Sequence, residues 1–295
     1  MISGKTPPYA IPLSELAAVW RFENLSVRIS GHGALANDLW TLHRFRGSLG
    51  QALARGSSLA ALQGHHCPFS PPCGFALFHG QVDWGGGAQD IRPLVLTADN
   101  AGGDLVLGVR LYGLACDWAP EFRAAMIAAC GEGLDTDGGP RQTLAVDQAE
   151  SWPGALPAVP TGGTALCLTT LTPIVQKTAG TPRQNLVLTS LIAASLRRLD
   201  QLARVHGIET GWTREMMAAF SRSFVEGAVD QTRPTQFPRG RSEGRQRTAH
   251  AGKIRFAPIR DQATEAFWQL ALSAHLGADS AGGAGRFAVS AEFGP

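Results

Sequence analysis

One order of elements, read twice along the chain, constrains the fold more than any other feature. In the first half Leu16–Ile29 alternates as a strand does. A helical stretch follows, Ala36–Arg55, with Leu39, Leu42, Phe45, Leu49 and Leu53 at helical spacing. Ile91–Ala98 and Asp104–Tyr112 read as strands around an Asp99-Asn100-Ala101-Gly102-Gly103 turn. Pro120–Cys130 is a helix stopped by Gly131, and Gln142–Gln148 is a last strand. Ser151–Gly163 (SWPGALPAVPTGG) then breaks the pattern as a Pro/Gly linker.

The order then recurs. Ala165–Leu171 is β-prone, and Asn185–His206 is a strong helix ended at Gly207. Thr213–Val229 is an extra helix with Thr213 as its N-cap. Gly252–Ala257 is a short strand, Gln262–Leu276 a helix capped by Asp261 and stopped by Gly277, and Arg286–Ser290 a final strand. The expected fold class is α+β, two tandem ferredoxin-like (RRM-like) βαββαβ domains with an extra helical insertion. The expected domains are 1–150 and 164–295, joined by 151–163.

The chain has 295 residues, enough for two cores. No apolar run is long enough to span a bilayer, and MISGKTPPYAIPLSEL has no apolar leader segment. Five scattered cysteines suit free thiols and a cytoplasmic setting. Neither a Walker lysine nor a Gly-x-Ser-x-Gly elbow is present. His65, His66, Cys67, Cys73 and His79 fit no common zinc spacing, so neither metal nor other cofactor is expected.

Net charge is only +2, yet residues 231–260 hold eight cations against one acid, Glu243. That local excess of seven leaves −5 for the remainder. Seven of the eight are arginines, whose planar forks match phosphate, so a polyanion is the natural partner.

Four short segments carry a family resemblance. Gly283, Gly285, Arg286 and Phe287 match the C-terminal Gly-x-Gly-Arg-aromatic loop of RAMP proteins. Leu171 to Lys177 (LTPIVQK) is similar to the strand that opens the second domain in the CRISPR repeat-processing branch. Arg241, Arg245-Gln246 and Gly252-Lys253 resemble its Arg-Ser segment and Gly-containing hairpin. Phe45 to Leu53 (FRGSLGQAL) resembles its first-domain helix, followed by the Cys67 and Cys73 connection. Glu243-Gly244 interrupts the Arg-Ser segment, and the connection keeps only two cysteines. These departures resemble a divergent branch such as the one accompanying type IV CRISPR systems.

The resemblance implies an endoribonuclease that cuts repeat transcripts without metal, through attack of the ribose 2′-OH on the adjacent phosphate. Such chemistry needs a base, an acid and cations for the phosphorane. The residues set against these roles are His43, Arg46, His250 and Arg241. RNA contacts are expected from Arg28, Arg44, Arg239, Arg245, Arg247, Lys253, Arg255, Gly283, Gly285 and Arg286. Arg197, Arg198 and Arg222 read rather as solvated helix residues. The expected partners are CRISPR repeat RNA or crRNA and subunits of an effector complex, with no membrane. The alternatives are a RAMP subunit that holds crRNA without cutting it and a general single-strand RNA chaperone.

Overall fold

The structure is a computed structural model that describes residues 10–84, 91–134, 141–178, 181–182, 185–238, 246–259 and 261–293. The first half runs α1 (Leu13–Ala18), β1 (Phe22–Ile29), α2 (Leu39–Ala54), α3 (Leu59–Leu62), α4 (Gly74–His79), β2 (Leu94–Ala101), β3 (Asp104–Tyr112), α5 (Ala119–Glu132) and β4 (Gln148–Pro153). The second runs β5 (Ala165–Thr170), β6 (Lys177–Thr178), β7 (Thr181–Pro182), α6 (Leu188–Val205), α7 (Arg214–Phe224), β8 (Val229–Pro238), β9 (Gln246–Phe256), α8 (Gln262–Ala274) and β10 (Phe287–Glu292).

Eight strands form two four-stranded sheets, ordered β2-β3-β1-β4 and β10-β5-β9-β8, and β6 pairs with β7 alone, with antiparallel neighbours throughout. Both orders are that of a ferredoxin-like unit, so the tandem arrangement expected from the repeated pattern is the observed one. Period-2 burial explains each sheet. Leu25, Val27 and Ile29 of β1 face Leu42, Phe45, Leu49 and Leu53 of α2 and Phe122 and Met126 of α5. Leu166, Leu168, Ile254 and Phe256 face Leu191, Leu199 and Leu202 of α6 and Phe267 and Trp268 of α8.

The opposite face of the first sheet is not all solvent. Phe22, Val95 and Tyr112 turn away from the first core and join the second, together with Trp20. The two halves are further tied by polar groups. Trp20 Nε1 donates to Ser273 Oγ at 3.1 Å, Arg110 donates to the Ser273 carbonyl at 2.8 Å, and the Tyr112 hydroxyl donates to the same carbonyl. From α6, Arg198 donates to the carbonyls of Arg92 (2.6 Å) and Leu94 (3.3 Å).

Several elements differ from their sequence-based bounds. Leu16 begins no strand: Leu13 and Leu16 are buried one turn apart in α1, and the strand starts at Phe22. The strand expected at Gln142–Gln148 lies at Gln148–Pro153, so the linker's first three residues close the first sheet. This edge strand is mostly exposed on both faces and so has no apolar alternation. The extra helix stops at Phe224, and Val229 opens β8, a ten-residue strand that the sequence did not suggest. β8 is also an edge strand, and Pro234 inside it argues against a strand on sequence grounds. β9 is correspondingly longer than Gly252–Ala257.

A close backbone approach sets the seam between the halves. Gly113 has φ of 54°, and a Cβ there would lie 2.5 Å from the Val205 carbonyl oxygen and 2.9 Å from the His206 nitrogen. Gly113→Ala is expected to destabilise the protein by roughly 1–3 kcal/mol. Urea midpoints of the variant and the parent test this, and an unchanged midpoint would show that the approach carries no stability.

Candidate nucleic-acid interface

α2 presents two stripes. Its N-cap Asp38 accepts from the Trp40 N–H at 2.9 Å, and its apolar stripe enters the first core. The neighbouring stripe carries His43, Arg46 and Gly50, at i, i+3 and i+7. His43 packs edge-on to Trp40 with centroids 5.7 Å apart. The Arg46 guanidinium sits 5.8 Å from the centre of the Phe78 ring.

The C-terminal glycine loop lies against this helix. A Cβ on Gly282 would stand 3.9 Å from Arg46 Cδ, and one on Gly283 would meet Leu42 at 2.6 Å and the Leu96 carbonyl at 3.2 Å. Gly283 and Gly285 have φ of 89° and 72°, which a side chain rarely tolerates. Their N–H groups donate inside the protein, to Ser280 O (2.9 Å) and Pro173 O (3.0 Å). Gly283 thus serves close packing between the halves and Gly285 close packing against Leu276 within the second, and their N–H groups are already committed.

At the loop's tip Asp279 collects cations. Lys177 bonds it at 3.1 Å and Arg247 of β9 pairs with it. A groove of about 520 Å³ opens beside it, lined by Arg92, Lys177, Arg197, Arg198, Asp279 and Ser280 among others. Arg46 feels Arg92, Asp279 and Arg247 as charges. Burial first, then Arg92, lowers its pKa, and Asp279 opposes them. His79, at the end of α4, stands beside Gly50, where a Cβ would be 3.7 Å from its Nε2. Burial, then the charges of Arg46 and Arg92, holds His79 down to about 4, so its ring is neutral at pH 7.

The residues singled out in the sequence divide among several places. Arg247 pairs with Asp279 beside the groove and Arg46 lies within electrostatic reach of it, with His43 one turn away on α2. Arg44 turns to Asp38 (3.3 Å) and Arg28 to Asp104 (3.2 Å). Arg286 spans the two halves, bonded to Asp99 of β2 at 2.7 Å. Lys253 and Arg255 lie on the face of the second sheet opposite Ile254 and Phe256, where Arg255 pairs with Glu292 at 2.7 Å. His250 lies in the hairpin, but its side chain is only 2% exposed, and its backbone bridges to Ile174. Arg239, Arg241 and Arg245 lie outside the described residues. Arg92 and Lys177 were missed as site residues, and His79 was weighed only as a zinc ligand. The local sequence around Arg92 carries no signal for this role. Among the described residues no cluster of three metal-type side chains forms, and no helix is long and apolar enough to cross a membrane.

Two ferredoxin-like halves thus meet beside a cationic groove. No family model matches the chain, and no curated protein is a significant match. Solved structures do match. A Cas6 product complex aligns at 17% identity and a TM-score of 0.56, over 92% of this chain and 99% of that one. Thermus thermophilus Cas6 aligns at 14% identity and 0.54, and a Cas6 substrate-mimic complex at 15% and 0.51, each with the same coverage. The chain therefore has the two-domain fold of Cas6 proteins.

The buried imidazoles make stability pH-dependent. His275 is held down to about 3 by burial and by Arg110 and Arg286, and His79 to about 4. Unfolded, both titrate near ~6.5. Unfolding therefore takes up protons below that value, and stability present above it is lost as pH falls toward 4. His275→Asn, which removes the titratable ring at this position of φ 63° and ψ 162°, is expected to flatten the loss. Urea midpoints at about pH 7 and about pH 4.5 decide, and equal slopes would refute the role of His275.

Proposed function

We propose that this protein is a metal-independent endoribonuclease that binds CRISPR repeat stem-loops and cleaves pre-crRNA to guide RNA. One observation carries the reading. Arg46 of α2 lies against the glycine loop, near Asp279, around which cations from both halves gather: Arg46 and Arg92 from the first, Lys177 and Arg247 from the second. The similarity to a Cas6 product complex supports the same reading.

In this reading the groove takes the RNA backbone. Arg92, Lys177 and Arg197 supply charge, and the β8–β9 hairpin lines the approach to α2. His43 is the proton-transfer group toward the 2′-OH, because an imidazole works near neutral pH. Arg46 faces the scissile phosphate and stabilises the charge that builds on phosphorus. A guanidinium cannot act as the base, so holding the 2′-OH in line supplies part of the rate. Product stays bound because the contacts to the backbone survive the cut. Repeat RNA and effector-complex subunits are the proposed partners.

The deciding experiment incubates repeat RNA with the protein in EDTA and reads the RNA ends. A 2′,3′-cyclic phosphate and a 5′-OH are expected. Binding without cleavage would overturn the enzyme reading in favour of a subunit that holds crRNA. Arg46→Ala is expected to slow single-turnover cleavage by about 10²–10³-fold with little change in affinity. Lys177→Ala and Arg197→Ala should instead leave the cleavage step intact and flatten the log-affinity versus log-salt slope by about 0.7 each. An Arg46→Ala protein that cuts at the parent rate would remove that residue from the mechanism.

A further inference from the structure

Away from the groove, two cysteines stand as a pair that the RNA chemistry does not use. Cys67 and Cys73 are free thiols, with Sγ atoms 3.4 Å apart across a short Pro-rich loop. Their surroundings are unequal. Cys67 Sγ accepts from the Ser58 hydroxyl at 3.3 Å and from the Cys73 backbone N–H at 3.4 Å. Ser58 is itself fixed as the cap of α3, accepting from the Ala61 N–H at 3.2 Å. Burial would raise the Cys67 thiol, but these donors and the Phe69 backbone outweigh it and hold it at about 7. Burial raises the Cys73 thiol instead. One sulfur is thus prepared as a thiolate while its neighbour keeps its proton, the division of labour between an attacking and a resolving thiol.

Three further observations separate this pair from ordinary core cysteines. The cover is thin: Pro68, Phe69, Ser70 and Pro71 between them are exposed. The Cys73 end is anchored, because Trp118 donates to the Pro72 carbonyl at 2.8 Å and Glu121 accepts from the Gly74 N–H at 3.1 Å. Cys67 instead follows exposed His65 and His66, so it is the end that can close the gap to a disulfide of about 2.05 Å. By contrast, burial drives the Cys116 and Cys130 thiols up to about 11 and about 12. Neither forms such a pair.

We propose that Cys67 and Cys73 form a reversible dithiol–disulfide site oxidised by hydroperoxides. The Cys67 thiolate attacks the peroxide oxygen, breaking the O–O bond to give a Cys67 sulfenic acid and an alkoxide, or hydroxide from hydrogen peroxide, which takes a proton from solvent and leaves as the alcohol or water. The Cys73 thiol then attacks the Cys67 sulfur, forming the S–S bond and releasing the hydroxyl as water. Each sulfur gives up one electron, and the peroxide accepts the pair. A small dithiol reverses the step by exchange.

The test treats the full-length protein with hydrogen peroxide, quenches it, denatures it and counts thiols. The count is expected to fall from five to three and the intact mass by about 2 Da. Both should return with dithiothreitol, and the change should map to the tryptic peptide Gly56–Arg110, which holds Cys67 and Cys73 alone because trypsin does not cut before Pro93. Cys73→Ser should stop at the sulfenic acid, about 16 Da heavier, and Cys67→Ser should not react. Five thiols remaining, a loss mapping to Cys116, Cys130 or Cys167, or cross-linked dimers in place of the internal bond would each overturn the proposal. The count and the mapped peptide of the unmutated protein decide the matter even if a serine variant fails to fold.

Discussion

The structure depends on how the end of α8 is held against the first sheet. The last turn of a helix leaves carbonyls without partners. Here the Ser273 carbonyl takes Arg110 and Tyr112 from β3, and Trp20 bonds the Ser273 hydroxyl. Arg198 repeats the device from α6 toward the carbonyls of Arg92 and Leu94. Burial lowers its pKa to about 10, yet it remains a cation at neutral pH. Burying such donors is costly unless each finds an acceptor. That requirement gives the seam a single register, which apolar contact alone would not impose.

This register places the functional loop. Ser273 lies only two residues before His275, where the glycine loop begins. Fixing one end of α8 therefore fixes where Gly282 and Gly283 meet α2. Arg286, at the far end of the loop, is pinned to Asp99 of β2. The loop is held to the first half at both ends, and its tip is left to Asp279. That carboxylate offsets part of the repulsion among Lys177, Arg247, Arg46 and Arg92. Without it the convergence of so many cations would be self-repelling. A polyanion bound in the groove would supply the remaining compensation.

The basic segment illustrates how far sequence reading reaches. Its charge was visible as a cluster, but β9 distributes that charge by strand geometry. Lys253 and Arg255 face outward from the second sheet, whereas Arg247 reaches the loop and His250 is enclosed. Neighbours in sequence became members of different surfaces: alternation separates His250 from the arginines, and Arg247 parts from Lys253 and Arg255 because the hairpin extends beyond β5. Arg92 and Lys177 made the opposite journey. They are isolated in sequence and meet only through the seam.

What the sequence determined by itself was whatever local periodicity encodes. The long helices α2, α6 and α8, the β2–β3 hairpin and the repeated order of elements all follow from apolar spacing and from caps such as Thr213 and Asp261. The four short motifs by themselves carried the resemblance to RNA-processing proteins. Two of the four edge strands were misplaced or missed, because β4 and β8 bury little on either face and leave no alternation to read. The site itself was decided by tertiary structure alone. Which cations converge, that Gly283 and Gly285 serve packing, and that His79 stands neutral beside Arg46 all depend on contacts between residues far apart in the chain. Local spacing carries no information about such contacts until two cores have formed and locked together.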